Sequence, residues 1–500
     1  MTTPYLTKSR YMAGLQCHRR LWLQVNEPLE QEPLAPGSPA AIGIEIGRQA
    51  QTLFPGGVLV EEAPWEHEQA VERTAALMRD PSVPAIFEAA FRHDDIRLRI
   101  DILHRRPDGW GLIEVKSSAS VKEHHLDDIA LQAHVLRAAG ITLRAIEVFH
   151  VNTAYGRGPD GIDWQQFFAR VDVTEDVALR LADVPVLLPA MRAALAMVIE
   201  PAVEPGPHCS TPYDCAFWDR CTADKPEVWV HHMPRLKQAQ KDQLAESGIV
   251  AISDIPADFP LAWKQSVIRD AIITGRPYIA PDLARLLHQF GPPACYLDFE
   301  AMMPPIPLYP GTRPYQTLPF QWSLHVAAKD GTLTHQEFLA DGAEDPRRAF
   351  AESLIAALEG PSLPIVVYSS YEQTQLRALA AQFPDLAERI EAIIHHLADL
   401  LPIVRGAVYF PEFRFSNSIK AVAPALSPGF SYDDLEHIAD GAAASETFVQ
   451  LASGAIADAA DVTRLRQALL RYCERDTRAM VEVHRALVAL VQSGNLPRRH

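Results

Sequence analysis

The segment ACYLDFE at residues 294–300 constrains the fold most, because it places two acidic residues inside an apolar strand pattern. Successive side chains of a strand point to opposite faces, so Asp298 and Glu300 share one face while Leu297 and Phe299 share the other. Two carboxylates on a buried strand are costly without a cation. The pattern therefore predicts an inner strand of an α/β fold that carries a divalent-cation site.

A second pair of strand patterns lies earlier in the chain. The segment 96–103 alternates apolar and polar residues, and after a turn the segment 111–118 has the pattern of a second strand, so together they predict a hairpin. Glu114 and Lys116 then point the same way, and Asp101 on the neighbouring strand joins them. Two carboxylates with a lysine suit magnesium-assisted phosphodiester hydrolysis, because the acids hold a cation that activates water. These residues alone leave an ordinary solvated strand face open as the alternative.

Helical patterns carry the remaining polar candidates for these sites. The amphipathic helix predicted after the hairpin carries Gln132, and a later strand-then-helix pattern places Glu372 in the first turn of its helix. The segment 469–487 predicts a strongly amphipathic helix. Its residues Tyr472 and Asp476 are four apart and therefore lie on one face.

Three of the six cysteines lie within HCSTPYDCAFWDRC at 208–221. A reducing compartment disfavours disulfides, so clustered cysteines there more often bind metal. Cys209, Cys215 and Cys221 follow Cys17 at a long interval, and four thiolates suit either zinc or an iron–sulfur cluster. Spacing alone leaves these two alternatives about level.

Composition limits the class of protein. The chain has 500 residues and a formal net charge of −17, which does not indicate a nucleic-acid binder but allows a local basic groove on an acidic body. The N-terminus lacks the apolar segment of a signal peptide, and the most apolar stretch, 184–199, is interrupted by Pro189 and Arg192. We therefore expect a cytoplasmic protein without membrane partners. Cys295 and Cys473 lie in apolar contexts and are expected to be buried small hydrophobes.

The arrangement of Asp101, Glu114-x-Lys116 and a downstream Gln132 resembles the PD-(D/E)xK core of RecB-like nucleases, which cut DNA with magnesium or manganese. The N-terminal TKSRYMAGLQCHRRLWL resembles the CRISPR-associated and AddB-like branch of that family, in which one cysteine before the core and three after it hold a [4Fe–4S] cluster. The resemblance implies Asp101 and Glu114 as metal ligands, with Lys116 and Gln132 as catalytic partners. It also implies a cluster, with zinc as the alternative, that staples the N-terminal helix to the end of the domain through Cys17, Cys209, Cys215 and Cys221.

The chain departs from these relatives at a few positions. Gln51 stands where they often have a histidine before the strands, and Leu136 stands where they often have a tyrosine after the glutamine. His18 follows the first cysteine, where proline is frequent. The acidic pair and the lysine are intact.

Asp298-x-Glu300 and Tyr472-x-x-x-Asp476 resemble the DEDD exonucleases of the RNase H-like fold, in their tyrosine-containing subclass. In that family the first strand, a position after a later strand and the last helix supply acids that bind two metals for 3′-to-5′ hydrolysis of DNA or RNA. The resemblance implies that Asp298, Glu300, Glu372 and Asp476 bind the metals and that Tyr472 belongs to the catalytic site. Glu372 stands where relatives have aspartate.

Two further segments bear on the second site. The segment SNSIKAVAPAL at 416–426 resembles a Ser-hydrophobic-Lys segment of the same relatives. The proline-rich loop predicted at 301–322 offers Arg313, Tyr315 and Trp322 as contacts to phosphates or bases, with a plain loop as the alternative.

The patterns divide the chain into three parts. Residues 1–225 resemble a RecB-like nuclease with a restriction-endonuclease-like core, residues 226–290 predict a helical linker faintly like a helix-hairpin-helix, and residues 291–500 resemble a DEDD exonuclease. Bacterial proteins that fuse these two nuclease domains form the family that the chain resembles. The resemblance implies a metal-dependent exonuclease acting on single-stranded DNA or DNA ends in repair, recombination or defence. The alternatives are a nucleic-acid-binding scaffold with one or both sites inactive, and an exonuclease directed at RNA.

Overall fold

The computed structural model shows helices combined with mixed β-sheets. The described residues are 4–30, 34–360, 362–435 and 437–493. This architecture confirms the α/β class that the sequence predicts. Within the described residues, no helix combines the length and the apolar character that crossing a lipid bilayer requires.

Packing divides the chain into two compact units. The N-terminal unit comprises Met1–Asp224 and Pro305–Tyr315, and the C-terminal unit comprises Lys225–Pro304 and Gln316–His500. The functional domains named from the sequence stay predictions.

A six-stranded mixed sheet forms the centre of the N-terminal unit, with its strands in chain order from edge to edge. They are β1 (Val58–Leu59), β2 (Ala85–His93), β3 (Ile96–Arg106), β4 (Gly109–Lys116), β5 (Leu143–Val151) and β6 (Phe168–Asp172). β1 and β2 pair in parallel, as do β4 and β5, and the other neighbours are antiparallel. The predicted hairpin is therefore β3–β4. A parallel pair needs a crossover connection, which the helix Glu123–Ala138 supplies between β4 and β5.

Helices cover both faces of this sheet. They are α1 (Lys8–Gln16), α2 (His18–Asn26), α3 (Pro39–Gln51), α4 (His67–Arg79), α5 (Glu123–Ala138), α6 (Trp164–Phe167), α7 (Thr174–Arg180), α8 (Val184–Leu195) and α9 (Trp218–Thr222). The larger core joins the sheet to α1, α4, α5 and α8. On the other face, Ile46 and Ala50 of α3 pack with Ile113 of β4 and Phe149 of β5.

A five-stranded sheet in the order β10–β9–β8–β11–β12 organises the C-terminal unit. The strands of this unit are β7 (Tyr278–Ile279), β8 (Ala294–Met302), β9 (Leu318–Ala327), β10 (Leu333–Leu339), β11 (Ile365–Val367), β12 (Leu397–Asp399) and β13 (Val408–Tyr409). β8, β11 and β12 are parallel to one another, whereas β9 is antiparallel to both β8 and β10. β7 and β13 pair with each other in a separate ladder. β8 is therefore an inner strand, as its sequence predicts.

Different helices of the C-terminal unit pack against the two faces of β8. They are α10 (Gln238–Glu246), α11 (Trp263–Thr274), α12 (Leu283–Leu287), α13 (Arg347–Ala357), α14 (Tyr371–Gln382), α15 (Ala387–His395), α16 (Leu401–Ala407), α17 (Ile419–Leu426), α18 (Gly441–Ala452) and α19 (Ala459–Gln492). Leu297 and Phe299 pack into a core with α13, α14 and α15. Asp298 and Glu300 lie on the opposite face, because Asp298 is beside Cys473 of α19 and Glu300 is close to the start of α18.

The structure corrects the expectation for Trp322. β9 begins at Leu318, so Trp322 belongs to a strand and not to the preceding loop. Its side chain is buried, and its indole Nε1 donates a hydrogen bond to Ser353 Oγ at 3.0 Å. It is therefore not available to stack on bases. Tyr315 lies before the strand, and its hydroxyl donates to the backbone oxygen of Ser117.

Candidate active sites and a cysteine cluster

The four polar residues predicted for the N-terminal site lie together. Asp101 comes from β3, Glu114 and Lys116 from β4, and Gln132 from α5. The amide Nε2 of Gln132 donates to Glu114 Oε2 at 2.8 Å, and Lys116 Nζ donates to Glu114 Oε1 at 2.6 Å. Asp101 accepts a hydrogen bond from the backbone nitrogen of Val115 at 2.8 Å, which joins the acids across the hairpin.

Two further residues complete this site and were not singled out from the sequence. Lys8 of α1 places its Nζ 3.0 Å from both carboxylate oxygens of Glu114. Asp128 of α5 lies 3.0 Å from Lys116 Nζ through its Oδ2. Lys8 lies within the N-terminal segment that resembles the relatives, and Asp128 is one helical turn before Gln132, which is the signal that would have indicated it.

Electrostatics separates the two predicted metal ligands of this site. Burial alone would raise the pKa of Glu114, but the ammonium groups of Lys116 and Lys8 hold it below its usual value. Burial and the neighbouring Glu114 raise the pKa of Asp101 to about 7. At neutral pH the site therefore holds one firmly ionised carboxylate beside one that is partly protonated.

Glu88 is a fourth acid of this site, after Asp101, Glu114 and Asp128. The β2–β3 register pairs Phe87 with Ile102 and Ala89 with Ile100, so Glu88 lies between these pairs, opposite Asp101. Its φ of 54° is in the left-handed region, which costs energy for a residue with a side chain. Burial raises the pKa of Glu88, which also interacts with Lys8 and Glu114. The sequence did not indicate Glu88, because a residue with a left-handed backbone conformation produces no periodic pattern in the sequence.

The four predicted cluster ligands line one small cavity of the N-terminal unit. They are Cys17, Cys209, Cys215 and Cys221. Cys17 lies between α1 and α2, Cys221 belongs to α9, and the backbone nitrogen of Cys215 donates to the carbonyl of Cys209 at 2.7 Å. All four are free thiols of intermediate exposure. This donor set has the chemistry to hold either an iron–sulfur cluster or zinc.

The surroundings of the cysteines fix the cavity in place. Trp22 and Phe217 form a small core against Cys215 and Cys221. Gln16 Nε2 donates to the carbonyls of His208 at 2.7 Å and of Tyr213 at 2.8 Å. The end of α1 is thereby tied to the segment that carries the three later cysteines.

Two arginines, Arg19 and Arg20, line the cavity of these thiols. Arg19 lines the cavity, pairs with Glu200 at 2.9 Å and also interacts with Cys17 and Cys221. Burial raises the pKa of Cys209 and of Cys221. A cationic neighbour or a bound metal favours the thiolate form of such groups, whereas burial opposes it.

The C-terminal site gathers all five residues predicted for it. Asp298 and Glu300 project from β8, Glu372 from the first turn of α14, and Tyr472 and Asp476 from successive turns of α19. The side chains of Glu300, Glu372 and Asp476 are 7%, 3% and 9% exposed. A cavity of about 470 Å³ is lined by Asp298, Glu372 and Asp476 among others.

Three more residues belong to this site. Tyr432 donates a hydrogen bond to Asp476 Oδ1 at 2.8 Å, and Lys420 Nζ lies 4.8 Å from the centre of the Tyr472 ring. Cys473 Sγ lies 3.7 Å from Asp298 Oδ2. Cys473 is buried as expected, but it borders the acids and offers a ligand atom within 4.8 Å of those of Asp298 and Glu300. Lys420 lies in the Ser-hydrophobic-Lys segment, whereas nothing in the sequence indicated Tyr432.

These acids raise one another's pKa values. Burial, followed by the charges of Asp476 and Glu300, raises the pKa of Asp298 well above its ordinary value. Burial and Asp476 raise the pKa of Glu300 to about 8, and burial raises that of Glu372 to about 7. The arrangement therefore concentrates more negative charge than its own side chains balance, which is the environment that hard divalent cations with oxygen ligands occupy.

A basic cavity adjoins this site. It has a volume of about 750 Å³, and the cations in its wall are Arg235, Lys237, Lys264 and Arg405. Arg405 also lines the acidic cavity. Burial lowers the pKa of Lys264, and the charges of Arg405 and Arg235 lower it further, so positive charge is crowded here. The sequence did not indicate this cavity, because its cations are spread over two distant segments.

Comparisons with known proteins add one finding. Residues 295–418 match a family described as a domain of unknown function, DUF2779. The matched range begins at the second residue of β8 and includes Asp298, Glu300 and Glu372, but it ends before α19. No curated protein matches the chain.

Proposed function

We propose that the protein is a metal-dependent nuclease that hydrolyses phosphodiester bonds of DNA exonucleolytically at its C-terminal site. The observation that carries the proposal is the set of four clustered carboxylates, Asp298, Glu300, Glu372 and Asp476, of which the last three are buried, beside a cavity lined by four cations. The acids come from the first strand of the sheet, from the position after a later strand and from the last helix, which is the order of the DEDD resemblance. The proposed setting is cytoplasmic DNA repair, recombination or defence.

The residues of this site have separate tasks. The four carboxylates fit magnesium or manganese, because such ions prefer oxygen ligands and relieve the repulsion that raises the pKa values. When bound, the ions supply activated water and stabilise the charge of the phosphate in the transition state. Tyr432 orients Asp476 by its hydrogen bond. The ammonium group of Lys420 lies beside the Tyr472 ring, where its positive charge attracts the negative phosphate of the substrate. Arg405 lines both the acidic cavity and the basic cavity. The cations of the basic cavity would bind the phosphates of a nucleic-acid strand that extends from the acidic site.

The N-terminal site is proposed as a second nuclease centre with a structural cluster. Asp101 and Glu114 would hold a divalent ion, Lys116 would neutralise developing charge, and Gln132 holds Glu114 in place. The four cysteines fit a [4Fe–4S] cluster, with zinc as the alternative, because their thiols line one cavity. The cluster would tie α1 and α2 to the end of the unit.

One observation favours a different role for the N-terminal unit. Glu114 already lies between the ammonium groups of Lys8 and Lys116, so part of the charge that a cation would balance is balanced by the protein. This unit is then a nucleic-acid-binding scaffold, and cleavage belongs to the C-terminal site alone.

Cleavage of end-labelled DNA and RNA by the purified full-length protein with magnesium or manganese tests the proposal. We expect Asp298→Asn to lower the rate by more than about a hundredfold, the scale on which single charge-stabilising groups act in preorganised sites. Asp461→Asn is the matched control, since Asp461 lies on the same helix as Asp476 and is half exposed. The same assay with Asp101→Asn decides between a second nuclease centre and a scaffold. Unchanged cleavage by both the Asp298 and the Asp101 variants rejects the nuclease proposal.

A further inference from the structure

A histidine pair lies on the sheet of the C-terminal unit, outside the residues used above. His325 of β9 and His335 of β10 are directly opposite each other in the register, and their ring centres are 4.6 Å apart. Glu474 of α19 approaches them, with Oε1 4.0 Å from His335 Nδ1. One ligand atom from each of these three residues lies within 4.8 Å of the other two.

A hydroxyl group is hydrogen-bonded to one nitrogen of each ring. His325 Nδ1 is hydrogen-bonded to Thr477 Oγ1 at 2.8 Å, and His335 Nε2 to Ser323 Oγ at 2.9 Å. Thr477 and Ser323 are linked to each other at 2.8 Å. Each imidazole is thus anchored at one nitrogen, which leaves the other as a ligand atom, and such outer partners are typical of metal sites.

We propose that His325, His335 and Glu474 form a transition-metal site that takes a divalent cation of the zinc class. Imidazole nitrogens suit zinc and its neighbours, whereas magnesium and manganese prefer oxygen. Glu337 is the candidate fourth ligand, because it lies two residues from His335 on β10 and interacts with both His335 and Glu474. Two imidazoles and two carboxylates then balance the charge of a divalent ion.

The exposure of the three residues fits a site that fills from solvent. His325 is 4% exposed and forms the floor, whereas the Glu474 side chain is 47% exposed and forms the rim. An ion here joins β9 and β10 to α19, the helix that carries Tyr472 and Asp476. The site goes beyond the proposed nuclease function, because its ligands and its metal class differ from those of the four-carboxylate site.

Zinc content of the full-length chain tests this site. The proteins are dialysed against equal zinc concentrations, and the metal is then counted and examined by X-ray absorption for imidazole ligands. We expect His325→Gln/His335→Gln to hold one zinc equivalent fewer than the wild type and to lose the imidazole signature. His395→Gln/His396→Gln is the matched control, because these residues are also a histidine pair in ring contact. It should keep the wild-type zinc content.

Zinc held by the cysteines contributes equally to the wild type and to the variants, so it does not affect the difference in zinc content between them. Equal zinc in all three proteins overturns the proposal. If the double variant fails to fold, Glu474→Gln replaces it, since that side chain is on the rim, and we expect it to weaken zinc binding by about tenfold or more. Unchanged zinc affinity in Glu474→Gln likewise overturns the proposal.

Discussion

Glu114 in the N-terminal unit lies between two lysines. Among the described residues, Asp298, Glu300, Glu372 and Asp476 of the C-terminal unit have Lys420 nearby, and Arg405 lines their cavity, but neither forms an ion pair with them. Lys420 donates to the carbonyl of Ala439 at 2.6 Å. The pKa values diverge accordingly, since that of Glu114 is lowered and that of Glu300 is raised to about 8. The presence of buried acids therefore does not by itself set the demand for metal, because the neighbouring cations decide how much negative charge remains.

The largest difference that we expect concerns the dependence of each unit on a bound cofactor. Cys209→Ser should remove one cluster ligand and unfold much of the N-terminal unit, because the binding free energy of a structural metal, about 10 kcal/mol or more for zinc sites, is folding free energy. Absorbance and limited proteolysis measure the effect, and a broad visible band in the wild type identifies iron rather than zinc. Cys295→Ala is the control, since Cys295 is buried in the C-terminal unit. If the Cys209 variant resists protease as well as the control does, a bound cluster does not stabilise the N-terminal unit.

The second prediction concerns a substitution that removes a lysine from the N-terminal site, so that its acids have less positive charge beside them, as in the C-terminal site. Lys8→Met removes an ammonium group 3.0 Å from Glu114, so the pKa of Glu114 should rise and manganese affinity at this site should increase. We expect a gain of at least about tenfold, since charges about 4 Å apart interact by up to about 4 kcal/mol at an effective dielectric constant near 20. Manganese titration followed by electron paramagnetic resonance measures it. Weaker manganese binding would mean that Lys8 does not compete with the ion.

The smallest expected effect concerns the basic cavity. Lys264→Gln should weaken substrate binding several-fold and reduce the dependence of affinity on salt by about one phosphate contact, with little change in kcat. Lys329→Gln is the control, because Lys329 is exposed in the turn between β9 and β10. Equal salt dependence for both variants would mean that the nucleic acid does not bind in the basic cavity.

Local periodicity predicted the parts of both sites that lie on single elements. Strand alternation placed Asp298 and Glu300 on one face, and helical spacing placed Tyr472 beside Asp476. Lys8 and Tyr432 reach their acids from 106 and 44 residues away in the chain, and no period indicates such a contact. Trp322 was misplaced because the run LPFQWSLHVA follows a proline-rich stretch, which obscured the start of β9.

The pH dependence of stability tests most directly whether the C-terminal acids demand cations. Glu300 and Glu372 have pKa values raised to about 8 and about 7, so the folded protein holds protons that the unfolded chain releases. The free energy of unfolding without metal should therefore fall as pH rises from about 4.5, the ordinary pKa of a glutamate, through these values to about pH 8, and magnesium should restore it at the alkaline end. Asp101, with its pKa raised to about 7, contributes with the same sign, so Glu300→Gln is the variant that isolates the C-terminal site.

Thermal unfolding midpoints of the metal-free and magnesium-loaded protein provide this measurement. We expect the midpoint to fall with pH in the metal-free wild type and to rise with magnesium at high pH. Both the fall and the rise should be smaller in Glu300→Gln. A metal-free midpoint that is flat or rises over this range, together with equal magnesium effects in the two proteins, would contradict it.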